Sequence, residues 1–251
     1  MTKKYIIDVA SKSDCGRVRV VNEDSIVVLN NKFDDYLLLV ADGLGGHNRG
    51  DYASKLASNY ISEEFRNRKR AFSSIIAVKI WLKNRIIKAN KLVYDQGESA
   101  KENKGMGTTL ICVLLHGNSY VLLNIGDSSL FSFCDNQLKK ISQDQSLVEY
   151  LKNSKQITEE EALHHSDKNI LMNALGVFPS VSFDTKTISY HNEGLLLCSD
   201  GLTNNLNKKD IIRILSSNKT SSDIVDTLIE EANNNGGSDN ISVIYFKRNN
   251  L

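Results

Sequence analysis

Two apolar segments of the chain end in the same way, with an aspartate followed directly by a glycine. Residues 36–50 read YLLLVADGLGGHNRG, and residues 194–205 read GLLLCSDGLTNN. A short, uninterrupted apolar run is typical of a strand that is buried on both faces, and glycine permits a sharp turn after it. The sequence therefore predicts a β-rich fold in which buried strands end at carboxylates.

Further strand-like segments are separated by short polar connections. They include SIVVL from residue 25, TTLICVLL from 108, SYVLLNI from 119, LFSFC from 130 and ISVIYF from 241. Residues 116–118 (HGN) and 135–137 (DNQ) are typical of turns, so the middle of the chain is predicted to form consecutive antiparallel hairpins. The spacing of apolar residues predicts helices over 53–65, 72–94 and after Ser222, which we expect to be an N-cap.

The chain is nearly neutral, because its 251 residues include 31 Lys and Arg against 30 Asp and Glu, for a formal net charge of +1. This balance argues against nucleic acid or an anionic membrane as the main partner. We find neither a signal-peptide pattern nor an apolar run near the roughly 18 residues that span a bilayer. Four scattered cysteines without a C-x-x-C pair predict buried, reduced thiols. We therefore expect a cytoplasmic protein.

The organisation of the chain predicts one domain over residues 1–251. Pro179 is the only proline, and no linker rich in Pro, Gly or Ser divides the sequence. Residues 143–170 are polar, and within them Thr158 and Glu161 have the spacing of a capping box that opens a helix. We interpret 143–170 as an inserted, mobile subdomain and name it the flap.

Acidic residues recur beside the apolar runs or among small turn residues. They are Glu23 and Asp24 in VVNEDS, Asp42 in ADGLGG, Asp127 in NIGDSS, Asp200 in CSDGL and Asp239 in GGSDNIS. An isolated Asp-Gly pair is more often a turn than a ligand, but the joint pattern is more specific. Because strands can deliver their end residues to one edge of a sheet, we predict that these acids converge.

Convergent carboxylates repel one another strongly. At a separation of about 5 Å and an effective dielectric near 20, each pair repels by roughly 3 kcal/mol. Such a cluster must bind cations, become protonated, or fail to form. Oxygen ligands without Cys or His favour Mg²⁺ or Mn²⁺, and the number of acids favours two ions. Two such ions can acidify a water for attack at phosphorus, so the pattern predicts phosphoester hydrolysis, with the Arg19 guanidinium holding the phosphate oxygens.

Seven segments resemble, in order and in spacing, the bacterial metal-dependent type 2C serine/threonine protein phosphatases of the PPM family. They read GRVRVVNEDS, VADGLGGHNRGDYAS, GMGTTL, NIGDSSLFSF, ITEEEALHHSDKNILMNALG, LLLCSDGLTNNL and GGSDNISVIYF. The similarity extends over nearly the whole chain. It implies an α+β fold, a four-layer αββα sandwich of two antiparallel β-sheets flanked by antiparallel helices, with the metals at one end.

The resemblance also implies the metal ligands. They would be Glu23, Asp24, Asp42, the carbonyl of Gly43, Asp127, Asp200 and Asp239. Asp42 would bridge the two core ions, whereas Asp127 would share a third, weaker ion with Asp200. Glu23 and Asp24 would act partly through water.

Other residues of the matching motifs would support these ligands. Arg19 would bind the phosphate, Asn240 would orient Asp239, and Asn22 would lie behind the ligands. Leu44 departs from the eukaryotic members, which carry a His at this position that is a proposed proton donor. The general acid is therefore open between His47 and a metal-bound water. A second departure lies in the flap, where the family's His-Pro-x-Arg-Asn reads HSDKN at 165–169, and we expect it to alter flap mobility and substrate preference.

These features together predict a protein phosphatase that hydrolyses phosphoserine or phosphothreonine by direct attack of a metal-bridging hydroxide. The expected cofactors are two ions of Mn²⁺ or Mg²⁺. The expected partners are phosphorylated proteins and a cognate serine/threonine kinase, without nucleic acid or membrane, and the chain is expected to be a monomer. Two alternatives remain open: a catalytically silent metal-binding adaptor of the same fold, and a two-metal phosphodiesterase.

Overall fold

A computed structural model describes residues 5–44, 49–163, 165–167 and 169–250 of the chain. Its strands are β1 (Tyr5–Asp14), β2 (Asp24–Asn30), β3 (Tyr36–Leu44), β4 (Gly107–Thr108), β5 (Leu110–His116), β6 (Ser119–Ile125), β7 (Ser129–Cys134), β8 (Gln137–Lys140), β9 (Asp184–Ser189), β10 (Gly194–Cys198) and β11 (Ile241–Asn250). Its helices are α1 (Gly50–Arg66), α2 (Ile75–Ser99), α3 (Leu147–Asn153), α4 (Glu159–Leu163), α5 (Asp200–Asn205), α6 (Lys208–Leu215) and α7 (Ser221–Asn234). Among the helices described, none has the length and apolar character needed to cross a membrane.

The strands of the described residues form two sheets in which all neighbours are antiparallel. One sheet has the order β1-β11-β10-β7-β8, and the other has the order β2-β3-β5-β6-β9, with β4 paired to β3. The turn at 116–118 joins β5 to β6, and the turn at 135–137 joins β7 to β8. The predicted hairpins are therefore confirmed.

Each strand directs alternate side chains to opposite faces of its sheet, as the period of two requires. In β3, Leu38 and Val40 belong to an apolar cluster between the two sheets, whereas Leu37 and Leu39 pack under α1 and α2. The cluster between the sheets also contains Ile111, Val113, Leu195, Leu197, Ile244 and Phe246. The apolar runs in the sequence are continuous because both faces of these strands are buried.

Helices cover the outer face of each sheet. Ile61 of α1 and Leu82 of α2 are fully buried against the β3 sheet. Leu228 of α7 is fully buried against the other sheet, in a cluster with Val243 of β11. The layers therefore follow the order helix, sheet, sheet, helix, and the αββα sandwich expected from the resemblance is confirmed.

The start of α4 agrees with the prediction, but the start of α7 does not. The Thr158 amide donates to Glu161 Oε2 at 2.7 Å, and the Glu161 amide donates to Thr158 Oγ1 at 3.2 Å, which is the predicted capping box. The prediction that Ser222 caps α7 is wrong. Thr220 is the cap, because its Oγ1 accepts from the Asp223 amide and its hydroxyl donates to the Asp223 carboxylate.

The cysteines are free, and their burial differs from one to another. Cys112 and Cys198 are buried, and Cys15 is half-buried. Cys134 is exposed, so the prediction of a buried thiol is wrong at this position. Its strand ends there, directly before the Asp135–Asn136 turn.

Aromatic side chains close one end of the space between the sheets. The ring centroids of Tyr36 and Phe246 lie 5.4 Å apart, those of Tyr190 and Phe246 lie 6.1 Å apart, and those of Tyr120 and Tyr190 lie 6.4 Å apart. All three pairs meet edge to face, the arrangement that the ring quadrupole favours. Tyr36 begins β3, so this aromatic end lies opposite Asp42.

Candidate metal centre

Polar residues replace apolar ones at the other end of the space between the sheets. The alternation that places Leu38 and Val40 there also directs Asp42 of β3 to the same face. By the same alternation this layer includes Asp24, Thr109, Ser128, Ser199, Asn240 and Ser242, all of which are buried. We name these six residues and Asp42 the polar end layer. The apolar core therefore ends in side chains that can bind or position an ion.

Asp24 and Asp42 are direct cross-strand partners in β2 and β3. Like charges at opposed positions of an antiparallel pair are destabilising, and Asp24 is also only 6% exposed. Two carboxylates that face each other, one buried and one half-buried, need a proton or a cation between them. This pair is therefore the electrostatic centre of the polar end layer.

A cavity of roughly 520 Å³ opens beside this pair. It is lined by Arg19, Glu23, Asp42, Gly43, Leu44, Asp127, Asn169, Leu171, Asp200, Asn204, Ser238, Asp239 and Asn240. Acidic side chains from separate parts of the chain thus meet around one space, as the sequence predicted. Among these described lining residues, Arg19 is the one that carries a positive charge.

Burial and mutual repulsion raise the pKa values of the central acids. Burial raises the pKa of Asp24 to about 6, and the charges of Asp200 and Asp239 add to the shift, whereas a hydrogen bond from Ser199 opposes it. Burial also raises the pKa of Asp127 to about 7, with the charge of Asp200 as the next cause. The pKa of Asp42 lies well above its usual range, because of burial first and the charge of Asp24 second. Burial and neighbouring negative charges both favour the protonated form of a carboxyl group, which is why these pKa values rise.

The donor set fits a hard divalent ion. Asp24 Oδ1 and Asp200 Oδ1 are buried without a hydrogen-bond partner in the described part of the chain. Burying a carboxylate oxygen without a partner is costly, so both atoms are available to a cation. The surrounding donors are oxygens of carboxylates and of backbone carbonyls, which suit Mg²⁺ or Mn²⁺.

The second oxygen of each acid is engaged by the protein itself. Asp24 Oδ2 accepts from Ser199 Oγ at 2.8 Å, Asp200 Oδ2 accepts from Asn204 Nδ2 at 3.0 Å, and Asp239 Oδ2 accepts from Arg19 at 2.9 Å. In the described residues no three His, Cys, Asp or Glu side chains are already arranged to hold one ion. A shared ion would therefore require small rotations of these carboxylates.

Close backbone contacts fix the loop that follows Asp42. A Cβ atom added to Gly43 would lie 2.2 Å from the Gly50 carbonyl oxygen, so only glycine fits there. The Gly43 amide donates to the Glu23 carbonyl at 3.1 Å, and Ser54 Oγ donates to the same carbonyl at 2.6 Å. Burial raises the pKa of the Glu23 carboxyl, although Arg19 opposes the shift. The strand end, the Glu23 backbone and the start of α1 are thereby packed into one unit.

Asn240 and Asn22 hold the backbone around the candidate ligands. The predicted orienting of Asp239 by Asn240 involves only the Asn240 backbone amide, which donates to Asp239 Oδ1 at 2.9 Å. Asn240 accepts from the Glu23 amide at 2.9 Å and donates to the Cys15 and Val21 carbonyls at 2.9 Å and 3.0 Å. It therefore fixes both ends of the loop that carries Arg19. Asn22 Oδ1 accepts from the Asp24 amide at 3.1 Å.

Some of the site falls outside the prediction or outside the described residues. His47, the predicted alternative general acid, lies outside the described residues. Ser199 and Asn204 were not predicted, although each donates to a predicted ligand. The signal was available for Asn204, because it stands four residues after Asp200 in a helix and so shares its face. No spacing in the sequence marked Ser199.

Replacing Ser199 with Ala is expected to lower the free energy of unfolding by about 1–3 kcal/mol, because Asp24 and the Ser242 amide each lose a buried partner. Urea denaturation of the metal-free protein measures this change. Ser238→Ala is the matched control, since Ser238 lines the cavity without contacting Asp24. An unchanged free energy for Ser199→Ala would contradict the positioning role.

Comparison with known proteins agrees with this geometry. The model of the family described as Protein phosphatase 2C matches residues 15–241. The serine/threonine phosphatase stp of Listeria welshimeri is 38% identical over 239 residues, which cover 95% of this chain and 94% of that protein. The crystal structure of Stp1 from Staphylococcus aureus has a TM-score of 0.91 and 32% identity, and the match covers 96% of this chain and 95% of that one.

A further structure, the catalytic domain of the phosphatase PstP in complex with two manganese ions, has a TM-score of 0.83 and 29% identity, and the match covers 98% of this chain and 100% of that one. The family model spans most of the chain, and the first of these relatives covers nearly all of it. The chain therefore belongs to the protein phosphatase 2C family of serine/threonine phosphatases.

Proposed function

We propose that this chain hydrolyses phosphoserine and phosphothreonine in proteins by metal-assisted attack of water, without a covalent phosphoenzyme. The observation that carries the proposal is the acid-lined cavity at the polar end layer, where carboxylates with raised pKa values face a single guanidinium. When bound, Mn²⁺ or Mg²⁺ supplies a Lewis acid and lowers the pKa of a water so that it can attack phosphorus near neutral pH.

The residues assigned to the ions are those at the cavity and just behind it. Asp42 would bridge two ions, with the Gly43 carbonyl beside it, and Asp200 and Asp239 would complete the core site. The remaining acids would have weaker or indirect roles. Glu23 and Asp24 would act partly through water, and Asp127 would hold a third ion together with Asp200. The unpartnered oxygens of Asp24 and Asp200 support this assignment.

Arg19 is assigned to the phosphate group. It is paired with Asp239 at 2.9 Å, and its side chain is 48% exposed, so it can move toward a ligand in the cavity. Guanidinium binds two phosphate oxygens at once. Neutralising Asp239 by an ion would weaken the pair and release Arg19 for the substrate.

Proteins with phosphorylated Ser or Thr are the proposed substrates, as the names of the relatives suggest. A cognate serine/threonine kinase would supply them. Asn169, near the end of the flap, and Leu171, just after it, line the cavity, so we propose that the flap contributes to substrate selection. For the general acid, His47 and a metal-bound water both remain candidates.

Hydrolysis of p-nitrophenyl phosphate and of a phosphothreonine peptide tests the proposal directly. We expect turnover with Mn²⁺, complete loss with EDTA, and recovery when Mn²⁺ is added back. Absence of turnover in pure, folded, metal-loaded protein would favour the silent adaptor. Comparable cleavage of bis-p-nitrophenyl phosphate would favour the phosphodiesterase.

Replacing Arg19 with Ala is expected to lower kcat/KM for the phosphopeptide by about a hundredfold, because a charge-assisted phosphate contact is lost. Steady-state kinetics at saturating Mn²⁺ measures the change. Arg17→Ala is the matched control, since Arg17 is exposed in the same loop but does not line the cavity. Equal kinetics for the two variants would contradict the assignment of Arg19.

A further inference from the structure

Gln145, at the start of the flap, contacts three separate parts of the fold. Its backbone amide donates to the Gly126 carbonyl at 2.9 Å, and its Oε1 accepts from the Gly126 amide at 3.1 Å. Gly126 directly precedes Asp127, so this pair of bonds holds the backbone that presents the Asp127 carboxylate to the cavity.

The same residue holds the end of the flap. The Met172 amide donates to the Gln145 carbonyl at 2.8 Å, and Asn173 Nδ2 donates to Gln145 Oε1 at 2.7 Å. One side-chain oxygen therefore accepts both from the Asp127 loop and from the segment that leaves the flap. This single oxygen therefore connects the beginning of the flap to the segment that follows the flap and to the loop that carries Asp127.

A third group of contacts fixes Gln145 to the sheet. Its Nε2 donates to Asp184 Oδ2 on β9 at 3.0 Å and to the Asn124 carbonyl on β6 at 3.4 Å. Because β6 and β9 are paired strands, the amide plane of Gln145 is held against a rigid surface. A side chain with both ends of its amide engaged has little freedom to rotate.

The turn at Gly126 lies close to the polar end layer. Gly126 has a φ of +89°, and a Cβ there would lie 2.8 Å from the Thr109 side chain. Thr109 Oγ1 in turn accepts from the Asp42 amide at 3.1 Å. Only glycine fits at this turn, and the turn therefore lies directly between the bonds from Gln145 and the polar end layer.

We infer that Gln145 is a positioning residue that couples the flap to the ion site at Asp127. Binding of an ion at Asp127 would thereby order the base of the flap, and displacement of the flap would weaken that ion. The inference rests on the proposed function, because it takes Asp127 to be a ligand of the third, weaker ion. It does not require Gln145 to touch either the ion or the substrate.

Limited proteolysis provides a test that does not depend on activity. Lys155 lies in an exposed turn of the flap with a φ of +58°, where trypsin can cleave. The core site is first filled at low Mn²⁺, and the rate of cleavage after Lys155 is then followed by mass spectrometry as Mn²⁺ is raised to fill the weak site. At about ten times the dissociation constant of that site, we expect roughly tenfold slower cleavage in the unchanged protein.

Gln145→Leu is expected to abolish this protection. It should also raise the midpoint Mn²⁺ concentration for binding at the weak site, measured by calorimetry, by about tenfold, as for other residues that orient metal ligands. The core site should keep its affinity. Gln143→Leu is the matched control, because its side chain is exposed two residues away and it should retain full protection. Retained protection in Gln145→Leu would overturn the inference.

Two further variants make each outcome informative. If Gln145→Leu does not fold, Asn173→Ala removes the contact between Gln145 and the segment that leaves the flap, together with a bond from Asn173 to the Ser182 carbonyl. It should reduce the protection while leaving Mn²⁺ affinity unchanged, and full protection in this variant would also overturn the inference. Asp127→Asn separates the two levels of the proposal. Persistence of the weak Mn²⁺ phase in Asp127→Asn would refute the third-ion assignment itself. Loss of that phase in Asp127→Asn, combined with an unchanged Mn²⁺ midpoint and unchanged protection in Gln145→Leu, would refute only the coupling.

Discussion

Replacing Asp42 with Asn is expected to lower kcat by about a thousandfold and yet to raise the melting temperature of the metal-free protein. The loss of rate follows because Asp42 is the proposed bridge between two ions, and the Lewis-acid contribution that it anchors is about 4 kcal/mol. The gain in stability follows because a half-buried carboxylate opposite the buried Asp24 is removed. Relief of about 2 kcal/mol would raise the melting temperature by roughly 5 °C.

Two measurements check this prediction in the same preparation. Phosphopeptide turnover with Mn²⁺ gives the rate, and calorimetry in EDTA at pH 8 gives the melting temperature. Asp34→Asn makes the same chemical change in the turn between β2 and β3, far from Asp42, and should leave both quantities unchanged. A variant that loses stability together with activity would show that Asp42 supports the fold and not the ion.

The metal-free protein is expected to lose several kcal/mol of stability as the pH rises from 5 to 8. Asp24 and Asp127 have folded-state pKa values raised to about 6 and about 7, above the ordinary value of 3.8. A raised pKa means that the folded state binds the proton more tightly. The stability it contributes is therefore present at low pH and is lost as the pH passes through these values. Shifts of this size correspond to about 3 kcal/mol and about 4 kcal/mol in total, of which roughly 1 and 3 kcal/mol are lost between pH 5 and 8.

Saturating Mn²⁺ should reverse this dependence. The ions bind the deprotonated carboxylates, so their affinity increases as the pH rises. Each site filled at about a hundred times its dissociation constant adds roughly 2.7 kcal/mol. Denaturation in urea at pH 5, 6, 7 and 8, with EDTA and with Mn²⁺, measures both curves. Parallel curves in the two conditions would mean that the acids of the cavity are not the groups that bind the ion.

Much of this site could be predicted from the sequence, because its acids stand at the ends of apolar runs. Asp42 lies near the end of β3 and Asp200 just after β10, whereas Asp24 begins β2 and Asp239 just precedes β11. Antiparallel neighbours bring these positions to the same end. The alternation of side chains then directs Asp42 between the sheets. Both steps follow from strand geometry alone.

Other contacts of the site depend on pairings that sequence spacing does not specify. Ser199 reaches Asp24 across 175 residues, and a serine beside a turn has many simpler explanations. The pairing of Arg19 with Asp239 depends on how the Arg19 loop folds, which Asn240 determines through the Cys15 and Val21 carbonyls. The N-cap of α7 was misplaced for a related reason, since Thr220, Ser221 and Ser222 are all suitable caps.

The aromatic end of the sandwich has a consequence for how the molecule opens. Packed aromatic rings fill one end of the space between the sheets. The opposite end, without metal, holds several carboxylates that repel one another. Hydrogen exchange without metal should therefore begin at the acidic end and reach the backbone around Tyr36 and Phe246 last. A local opening of this kind would let ions enter and leave while the rest of the fold stays closed.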